Sequence, residues 1–317
     1  MDALDRASLR GWTPVRVAVR QPAVEWAVVD RPFTDPFFEQ TAHVAMQHPF
    51  NQIFARRTPL EILDELGAEH FRAPAGIIFH MSRCGSTLIT QMLARLPNVV
   101  ALSEPQPFDG ILRLRDRRRA DADETLVRRL RGLMRALTPD RAESRLVVKL
   151  HAWHVLELSL LARAFPETPM VFVFREPRAV LRSQARSPGA EVLAGTIDPA
   201  YAGIRDAAEL ARSDYGARVL AAMCDAALRH AATGEMIFVD YETLPDAVFT
   251  RVLPFFGLPL SGADESALRE IARNDAKREG ERFRPDAALA DPALDALAAR
   301  WLDPPYAALR ERAGQPA

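Results

Sequence analysis

The sequence has few of the features that mark secreted, disulfide-linked or membrane proteins. Only two of its 317 residues are cysteines, Cys84 and Cys224, and they stand in unrelated contexts. We expect both to stay reduced, because a disulfide framework needs several paired cysteines. No apolar run reaches the length of a membrane span, and the N-terminus lacks the basic and then apolar pattern of a signal peptide. These absences predict a cytoplasmic protein without a membrane span.

An excess of charge of one sign is also lacking. The chain has 41 basic and 42 acidic residues, so no basic excess is available for nucleic acid, and we expect no nucleic-acid partner. Lysine is nearly absent, because all basic residues except Lys149 and Lys277 are arginines. In such a chain a retained lysine hints at a position where a compact ammonium serves and a planar guanidinium does not.

Short apolar runs alternate with helical patterns from Gly76 onward. The first such unit is a predicted strand from Gly76 to His80 and a helix from Ser86 to about Arg95. Further predicted elements are strands at Val99 to Leu102, Leu146 to Leu150, Met170 to Phe174 and Met236 to Val239, and a helix at Trp153 to Phe165. This alternation predicts an α/β fold, a parallel β-sheet flanked by helices on both faces. Ligands of such sheets lie at the carboxyl ends of the strands.

The residues before this alternating region read differently. They contain β-type stretches at Val15 to Val19 and Val24 to Val29, and two short helical patterns. We therefore predict an N-terminal β-containing extension of unassigned role over residues 1–75. A single nucleotide-binding domain follows over residues 76–317, with a helical tail after Pro285.

The turn between the first predicted strand and its helix has the composition of a phosphate-binding loop. It contains one glycine, Gly85, and two hydroxyl residues at the helix start, Ser86 and Thr87. The N–H groups and the positive end of a helix attract anions, and the hydroxyls can add donors. Helix capping by either hydroxyl would explain them as well. The loop of kinases and GTPases has a lysine after its second glycine, whereas here the basic residue, Arg83, precedes the glycine.

The segment Arg83-Cys84-Gly85-Ser86-Thr87 resembles the first motif of the sulfotransferase family that uses 3′-phosphoadenylyl sulfate. That motif connects a strand to a helix through Lys or Arg, Ser, Gly and two hydroxyl residues. The resemblance implies a three-layer sandwich like that of P-loop NTPases, with the loop binding the donor nucleotide. Cys84 stands where serine is usual, which removes one hydroxyl donor and leaves the backbone amide.

A second motif of the same family is a strand that ends in arginine, with a serine eight positions later. Arg175 follows the run Val171 to Phe174, and Ser183 lies eight positions after it. The resemblance implies that both contact the 3′-phosphate of the donor. Such convergence is physically reasonable, because a guanidinium and a hydroxyl can bind one phosphate together. In isolation, Arg175 would be interpreted as a surface ion pair and Ser183 as a neutral helix residue.

Two further stretches match the family. The stretch from Ile237 to Phe256, in which Asp240 to Pro245 leads into a helix, resembles the region after its last strand and implies a donor contact for Tyr241. Lys277 begins a basic and glycine-containing segment ending at Gly280, where many members place a loop over the nucleotide. The resemblance covers Gly76 to Gly280 and implies a donor contact for Lys277.

Transfer chemistry requires a cation for the leaving phosphate and a base for the acceptor. Arg83 and Lys149 are the candidate cations, and the resemblance places a catalytic lysine at Lys149. Glu104 lies where the tyrosylprotein branch of the family carries a catalytic glutamate, and His151 where the small-molecule branch carries a histidine. We favour Glu104 as the base, in which case His151 orients the acceptor.

The sequence therefore predicts a sulfotransferase that moves a sulfuryl group from 3′-phosphoadenylyl sulfate to a hydroxyl or amine acceptor. The product is adenosine 3′,5′-bisphosphate, and no metal is expected. The alternatives are a metal-dependent nucleotide kinase and a non-catalytic module that binds the same nucleotide. The acceptor is not identified by the sequence, and several phenylalanines of the extension could line a lid or a homodimer contact: Phe37, Phe38, Phe50 and Phe54.

Overall fold

The computed structural model describes residues 6–70, 72–115, 122–139, 141, 143–232, 236–277, 281–282 and 290–314. Three parts of the sequence interpretation fall outside these ranges. They are residues 1–5, whose composition argued against a signal peptide; residues 278–280, the remainder of the basic loop that begins at Lys277; and residues 286–289 and 315–317, the two ends of the predicted helical tail.

In the residues that the structure describes, eight strands form two sheets. The strands are β1 Thr13–Ala18, β2 Ala23–Ala27, β3 Arg56–Thr58, β4 Gly76–His80, β5 Val99–Ser103, β6 Arg145–Lys149, β7 Met170–Phe174 and β8 Met236–Asp240. The first three form an antiparallel sheet in the order β1-β2-β3, and the others form a parallel sheet in the order β5-β6-β4-β7-β8. The predicted α/β fold and the β-containing extension are confirmed.

Thirteen α-helices occur in the described residues. They are α1 Phe38–Gln47, α2 Pro49–Ile53, α3 Glu61–Gly67, α4 Ser86–Leu93, α5 Gln106–Arg113, α6 Ala122–Leu137, α7 Leu158–Ala164, α8 Pro177–Arg186, α9 Arg212–Ala231, α10 Leu253–Phe255, α11 Gly262–Ile271, α12 Pro292–Leu297 and α13 Asp303–Ala313. The extension holds three helices rather than the two expected. The predicted helix from Trp153 to Phe165 is split into a 3₁₀ segment, Ala152–Glu157, and α7.

The chain divides into two compact units, the first of which comprises Met1–Gly76, Thr90–Leu150 and Ser159–Thr168. Within it, α3 and α6 approach so closely that a Cβ atom on Gly132 would lie 1.9 Å from the carbonyl oxygen of Leu63. The side chain of Gln106 occupies the edge of β1, since its Oε1 accepts from the N–H of Val17 at 2.9 Å. Gln106 lies outside the N-terminal extension. Part of what holds the extension in place therefore comes from the region of the parallel sheet.

The second unit comprises Ile77–Ile89, His151–Leu158 and Pro169–Ala317. Its strands β4 and β7 are buried along their whole length, as expected for parallel strands covered on both faces. They pair in register from Ile77 opposite Met170 to His80 opposite Val173, so both strands end at the same edge. This register places the loop after β4 beside the residues that follow β7.

Within the described part of the chain, no helix combines the length and apolar character needed to cross a membrane. Cys84 and Cys224 are both buried and free. Burial raises the pKa of the Cys224 thiol, with a smaller contribution from nearby Asp225, so this thiol stays protonated at neutral pH.

Candidate active site

The loop after β4 has an unusual backbone conformation. Ser82, Arg83 and Gly85 all have positive φ angles, of 69°, 52° and 80°. Glycine adopts this left-handed region freely, but other residues are held there at a cost of order 1–3 kcal/mol each. Strain of this kind persists where surrounding contacts fix the backbone, and it concentrates at binding and catalytic sites. The backbone therefore supports the predicted functional loop independently of its sequence motif.

Buried hydrogen bonds hold this loop in place. The N–H of Ser82 donates to Nδ1 of His80 at 3.1 Å, and its hydroxyl accepts from Nε2 of Gln184 at 3.1 Å. The thiol of Cys84, which is fully buried, donates to the carbonyl oxygen of Val173 at 3.1 Å. The thiol at the position where the resemblance leads one to expect serine thus binds β7.

Gln184, on α8, forms hydrogen bonds with several groups at once. Besides Ser82, its Nε2 donates to Oε1 of Glu191 at 2.9 Å, and its Oε1 accepts from the N–H of Gly189 at 2.6 Å. The side chains of Gln184 and Glu191 are both buried. Gln184 therefore connects the strained loop to the segment that follows α8.

Replacing Gln184 by alanine is expected to destabilise the protein by about 1–3 kcal/mol, because it leaves buried polar groups of Ser82 and Glu191 without this partner. It is also expected to weaken nucleotide binding at temperatures where the variant is fully folded. Thermal unfolding and calorimetric titration with adenosine 3′,5′-bisphosphate measure the two effects. Ser187→Ala is the comparison variant: it removes a single hydroxyl that accepts from Arg83, so we expect a smaller loss of stability than for Gln184→Ala. Nucleotide affinity equal to that of the unmodified protein would show that Gln184 does not position the loop.

Arg175 follows β7 and lies against the loop. Its Nη1 donates to the carbonyl oxygen of Arg83 at 3.2 Å, and its guanidinium carbon lies 4.2 Å from the centre of the Tyr241 ring. Tyr241 also packs on Gly85, where an added Cβ would lie 2.9 Å from its ring. Glycine is therefore required at position 85 by this approach as well as by its φ. The structure brings four predicted donor-binding residues together: Arg83, Gly85, Arg175 and Tyr241.

Arg83 directs its guanidinium toward the end of α8. Its Nη2 donates to the hydroxyl of Ser187 at 2.9 Å and also to the carbonyl oxygen of Ser187. Ser183 lies one helical turn earlier, where its carbonyl accepts from the N–H of Ser187. Because Gln184 and Ser187 both bind the loop, Ser183 lies on the part of α8 nearest to it. The roles of Arg83 and Ser183 toward a donor stay predictions, as do those of the hydroxyl residues Ser86 and Thr87, which are buried at the start of α4.

The carboxylate before Tyr241 lies in an apolar environment. Burial raises the pKa of the Asp240 carboxyl, and the nearby Glu242 adds to the increase. The N–H of Glu242 donates to Asp240 at 3.1 Å, and Arg310 lies 3.6 Å away; both oppose the increase. Lys277 lies in an exposed turn, where its N–H donates to Asp275 at 2.8 Å. Its donor contact stays a prediction.

Lys149 and Glu104 form a second group of predicted site residues. The side chain of Lys149 is fully buried, and its Nζ lies 2.5 Å from Oε1 of Glu104. The N–H of Glu104 donates to the carbonyl oxygen of Lys149 at 2.7 Å, and Glu104 has a φ of 57°. The Glu104 side chain keeps 21% of its surface exposed. A buried ammonium and a partly exposed carboxylate are thus fixed side by side, an arrangement suited to charge stabilisation and proton transfer.

Phe37, from the N-terminal extension, lies next to this pair. The centre of its ring is 5.3 Å from Nζ of Lys149, within the range of a cation–π interaction. The sequence predicted only that this phenylalanine would line a lid or a subunit contact. The extension therefore contributes an aromatic surface to the Lys149–Glu104 pair.

His151 begins the 3₁₀ segment after β6. Its ring lies 5.2 Å from that of His154, which is fully buried and packs edge-on against Trp153 at 4.5 Å. His151 is thus part of an aromatic cluster of the second unit, whereas Glu104 and Lys149 belong to the first unit. The choice between Glu104 and His151 as the base stays a prediction.

Sequence reasoning missed Gln184 and Ser187, because neither belongs to a recognisable motif. The available signal was their position one and four residues after Ser183 on the same helix. It also missed Met81, whose sulfur accepts from the N–H of Arg175 at 3.3 Å. Such supporting contacts depend on long-range packing.

Comparison with solved structures gives matches to sulfotransferases at low identity. Sulfotransferase STF9 from Mycobacterium avium is 17% identical, with 87% of this chain and 86% of that chain covered and a TM-score of 0.45. STF1 from Mycobacterium tuberculosis is 14% identical, with coverages of 80% and 85% and a TM-score of 0.47. Mouse sulfotransferase SULT7A1, solved in complex with PAP, is 14% identical, with coverages of 79% and 93% and a TM-score of 0.41.

Comparison with curated proteins gives no significant match. The model of a family described as "Sulfotransferase family" matches residues 77–262, which is more than half of the chain. The matched range begins in β4 and contains the strained loop, Glu104, Lys149, Arg175 and Tyr241. The chain belongs to the sulfotransferase family.

Proposed function

We propose that this sulfotransferase takes the sulfuryl group from 3′-phosphoadenylyl sulfate, transfers it in line to a hydroxyl or amine acceptor, and releases adenosine 3′,5′-bisphosphate. The observation that carries the proposal is the bond from Arg175 to the carbonyl oxygen of Arg83. It joins the residue assigned to the 3′-phosphate to the loop assigned to the 5′-phosphosulfate.

In this proposal the loop and the start of α4 bind the 5′ end of the donor. The N–H groups at a helix N-terminus favour an anion, and the hydroxyls of Ser86 and Thr87 supply further donors. Arg175 and Ser183 bind the 3′-phosphate, which gives preference over nucleotides that lack it. The ring of Tyr241 packs on the guanidinium of Arg175 and holds it in place.

The transfer step requires one bond to form and one to break at sulfur. The acceptor oxygen or nitrogen attacks the sulfur atom, its proton passes to the carboxylate of Glu104, and the bridging S–O bond breaks. The electron pair of that bond leaves with the phosphate oxygen, whose charge the ammonium of Lys149 stabilises. Correct alignment and electrostatic stabilisation are the main contributions a protein can make to such a transfer. The 2.5 Å ion pair of Lys149 and Glu104 supports this division of roles.

His151 orients the acceptor in this proposal, while Phe37 gives the acceptor region an apolar surface. Arg83 stabilises charge on the donor as the second cation, and Lys277 covers the nucleotide. Catalysis proceeds without a metal ion. A cytoplasmic location and a homodimer stay predictions.

Calorimetric titration with adenosine 3′,5′-bisphosphate and with 5′-AMP tests the donor assignment. We expect the bisphosphate to bind at least about tenfold more tightly, because charge-assisted hydrogen bonds to the 3′-phosphate contribute about 1.5–3 kcal/mol. Release of the bisphosphate from 3′-phosphoadenylyl sulfate, measured with pools of phenols, alcohols and amines, then identifies the acceptor class.

Equal affinity for the two nucleotides would contradict the donor assignment. Magnesium-dependent turnover of ATP would favour the kinase interpretation. Tight and selective binding without release of product for any acceptor pool would favour the non-catalytic module.

A further inference from the structure

The first unit contains a cavity of about 920 Å³. Its walls come from the turn before β1, from residues 31–34 and from the start of β5 and the end of α6. Three aromatic side chains, those of Trp12, Trp26 and Phe33, line it. The volume lies in the range of pockets that bind small organic molecules.

This cavity is distinct from the Lys149–Glu104 pair. Val99 and Val100, at the first two positions of β5, form part of its wall, whereas Glu104 follows the last position of the same strand. Strands rise about 3.3 Å per residue, so the two ends of β5 are roughly 13 Å apart. A ligand in this cavity would therefore occupy a site separate from the proposed transfer chemistry.

The aromatic walls are held in place before any ligand binds. The indole Nε1 of Trp26 donates to the hydroxyl of Thr58 at 3.0 Å, and the rest of the side chain is buried. Phe33 stacks on Phe38 with ring centres 5.1 Å apart and planes only 4° from parallel. Rings fixed in this way offer apolar surface to a ligand at low cost in conformational entropy.

The charged residues of the cavity are mostly cationic. Arg10, Arg31 and Arg135 line it, together with a single acid, Glu69. Arg31 lies 3.1 Å from Asp35, and Arg135 lies 3.9 Å from Glu69 with 31% of its side chain exposed. Guanidinium groups bind carboxylate and sulfate groups with two parallel hydrogen bonds. The charge pattern therefore favours an anionic group on the ligand.

We propose that this cavity binds a small amphipathic organic anion, with an aromatic or aliphatic body against Trp12, Trp26 and Phe33 and a carboxylate or sulfonate-like group against Arg10 and Arg135. The site goes beyond the proposed transfer function and does not depend on it. The cavity recognises the ligand through one apolar body and one anionic group.

A pair of fluorescent probes with the same ring framework tests this proposal in the full chain. The anionic probe is 8-anilinonaphthalene-1-sulfonate, and the neutral one is N-phenyl-1-naphthylamine. For the double variant Arg10→Gln/Arg135→Gln we expect the affinity for the anionic probe to fall about tenfold, as for loss of a charge-assisted contact, and that for the neutral probe to change less than about twofold. For Trp12→Leu we expect weaker binding of both probes. Since neither probe is a nucleotide, the result is independent of the donor assignment.

The control is Val44→Ser/Met46→Ser, which alters two exposed apolar side chains that do not line the cavity. We expect it to keep the affinity for both probes. Loss of binding in this control, with unchanged binding in the arginine and tryptophan variants, would place the probes on the surface and overturn the proposal. An equal fall in the affinity for both probes in the arginine variant would overturn the proposed preference of the cavity for an anionic ligand.

Discussion

Replacing Lys149 by methionine is expected to lower the rate of sulfuryl transfer by about 10²–10³-fold, the usual effect of removing one group that stabilises transition-state charge. The affinity for adenosine 3′,5′-bisphosphate is expected to fall much less than the rate, because the loop, Arg175 and Ser183 are also assigned to its phosphates. Methionine fits the buried position, since it has a similar length and no charge. The rate is measured as release of the bisphosphate from 3′-phosphoadenylyl sulfate, with the acceptor that the screen identifies.

Lys277→Met is the matched control for this experiment, because it removes the other lysine, which lies in an exposed turn. It is expected to weaken donor binding and to leave the rate at saturating donor unchanged. Glu104→Gln keeps a hydrogen-bond acceptor beside Lys149 and removes the base, so we expect a slow enzyme with normal nucleotide affinity. If the Lys149 variant transfers sulfuryl groups at the original rate, the ion pair has a structural role only.

The second large effect is expected for Arg175→Ala, in the affinity for the donor product. Loss of the guanidinium removes charge-assisted hydrogen bonds worth about 1.5–3 kcal/mol, which corresponds to roughly 10- to 150-fold weaker binding of adenosine 3′,5′-bisphosphate. The affinity for 5′-AMP should change much less, because this nucleotide lacks the 3′-phosphate. Calorimetric titration of both nucleotides gives the selectivity directly.

Two further variants separate the roles of Arg175. The Nη1 of Arg175 also binds the carbonyl oxygen of Arg83. If Arg175 only holds the loop, its loss would lower the affinity for both nucleotides to the same extent. Arg175→Lys keeps the charge but loses the planar geometry, so we expect it to recover part of the selectivity. Tyr241→Phe keeps the ring beneath the guanidinium, so we expect this variant to bind the bisphosphate normally. Weaker binding would indicate a contact between the Tyr241 hydroxyl and the donor.

Much of the parallel sheet could be predicted from local sequence patterns. The predicted strands at Gly76 to His80 and Met170 to Phe174 agree with β4 and β7 residue for residue, because both are short, largely apolar runs. The strained loop was located through its motif. The positive φ angles of Ser82 and Arg83 were not foreseen, because neither residue type favours this conformation.

The helical pattern from Trp153 to Phe165 illustrates the limit of such reasoning. Its apolar spacing suits one helix, but the segment from Ala152 to Glu157 winds as a 3₁₀ helix before α7 begins. Long-range packing of Trp153 on Tyr201 accompanies this change. Tertiary contacts of this kind override local preference, which is a weak guide over six residues.

The sequence by itself predicted the family, a candidate phosphate-binding loop and the candidate residues for chemistry, because these depend on short motifs at strand ends. Only the tertiary structure decided which candidates meet. Ser103 pairs with Lys149 in the parallel register of β5 and β6, and this register sets Glu104 beside the buried ammonium although 45 positions separate them. Register between strands distant in sequence arises from side-chain packing across the whole sheet, so no local pattern contains it.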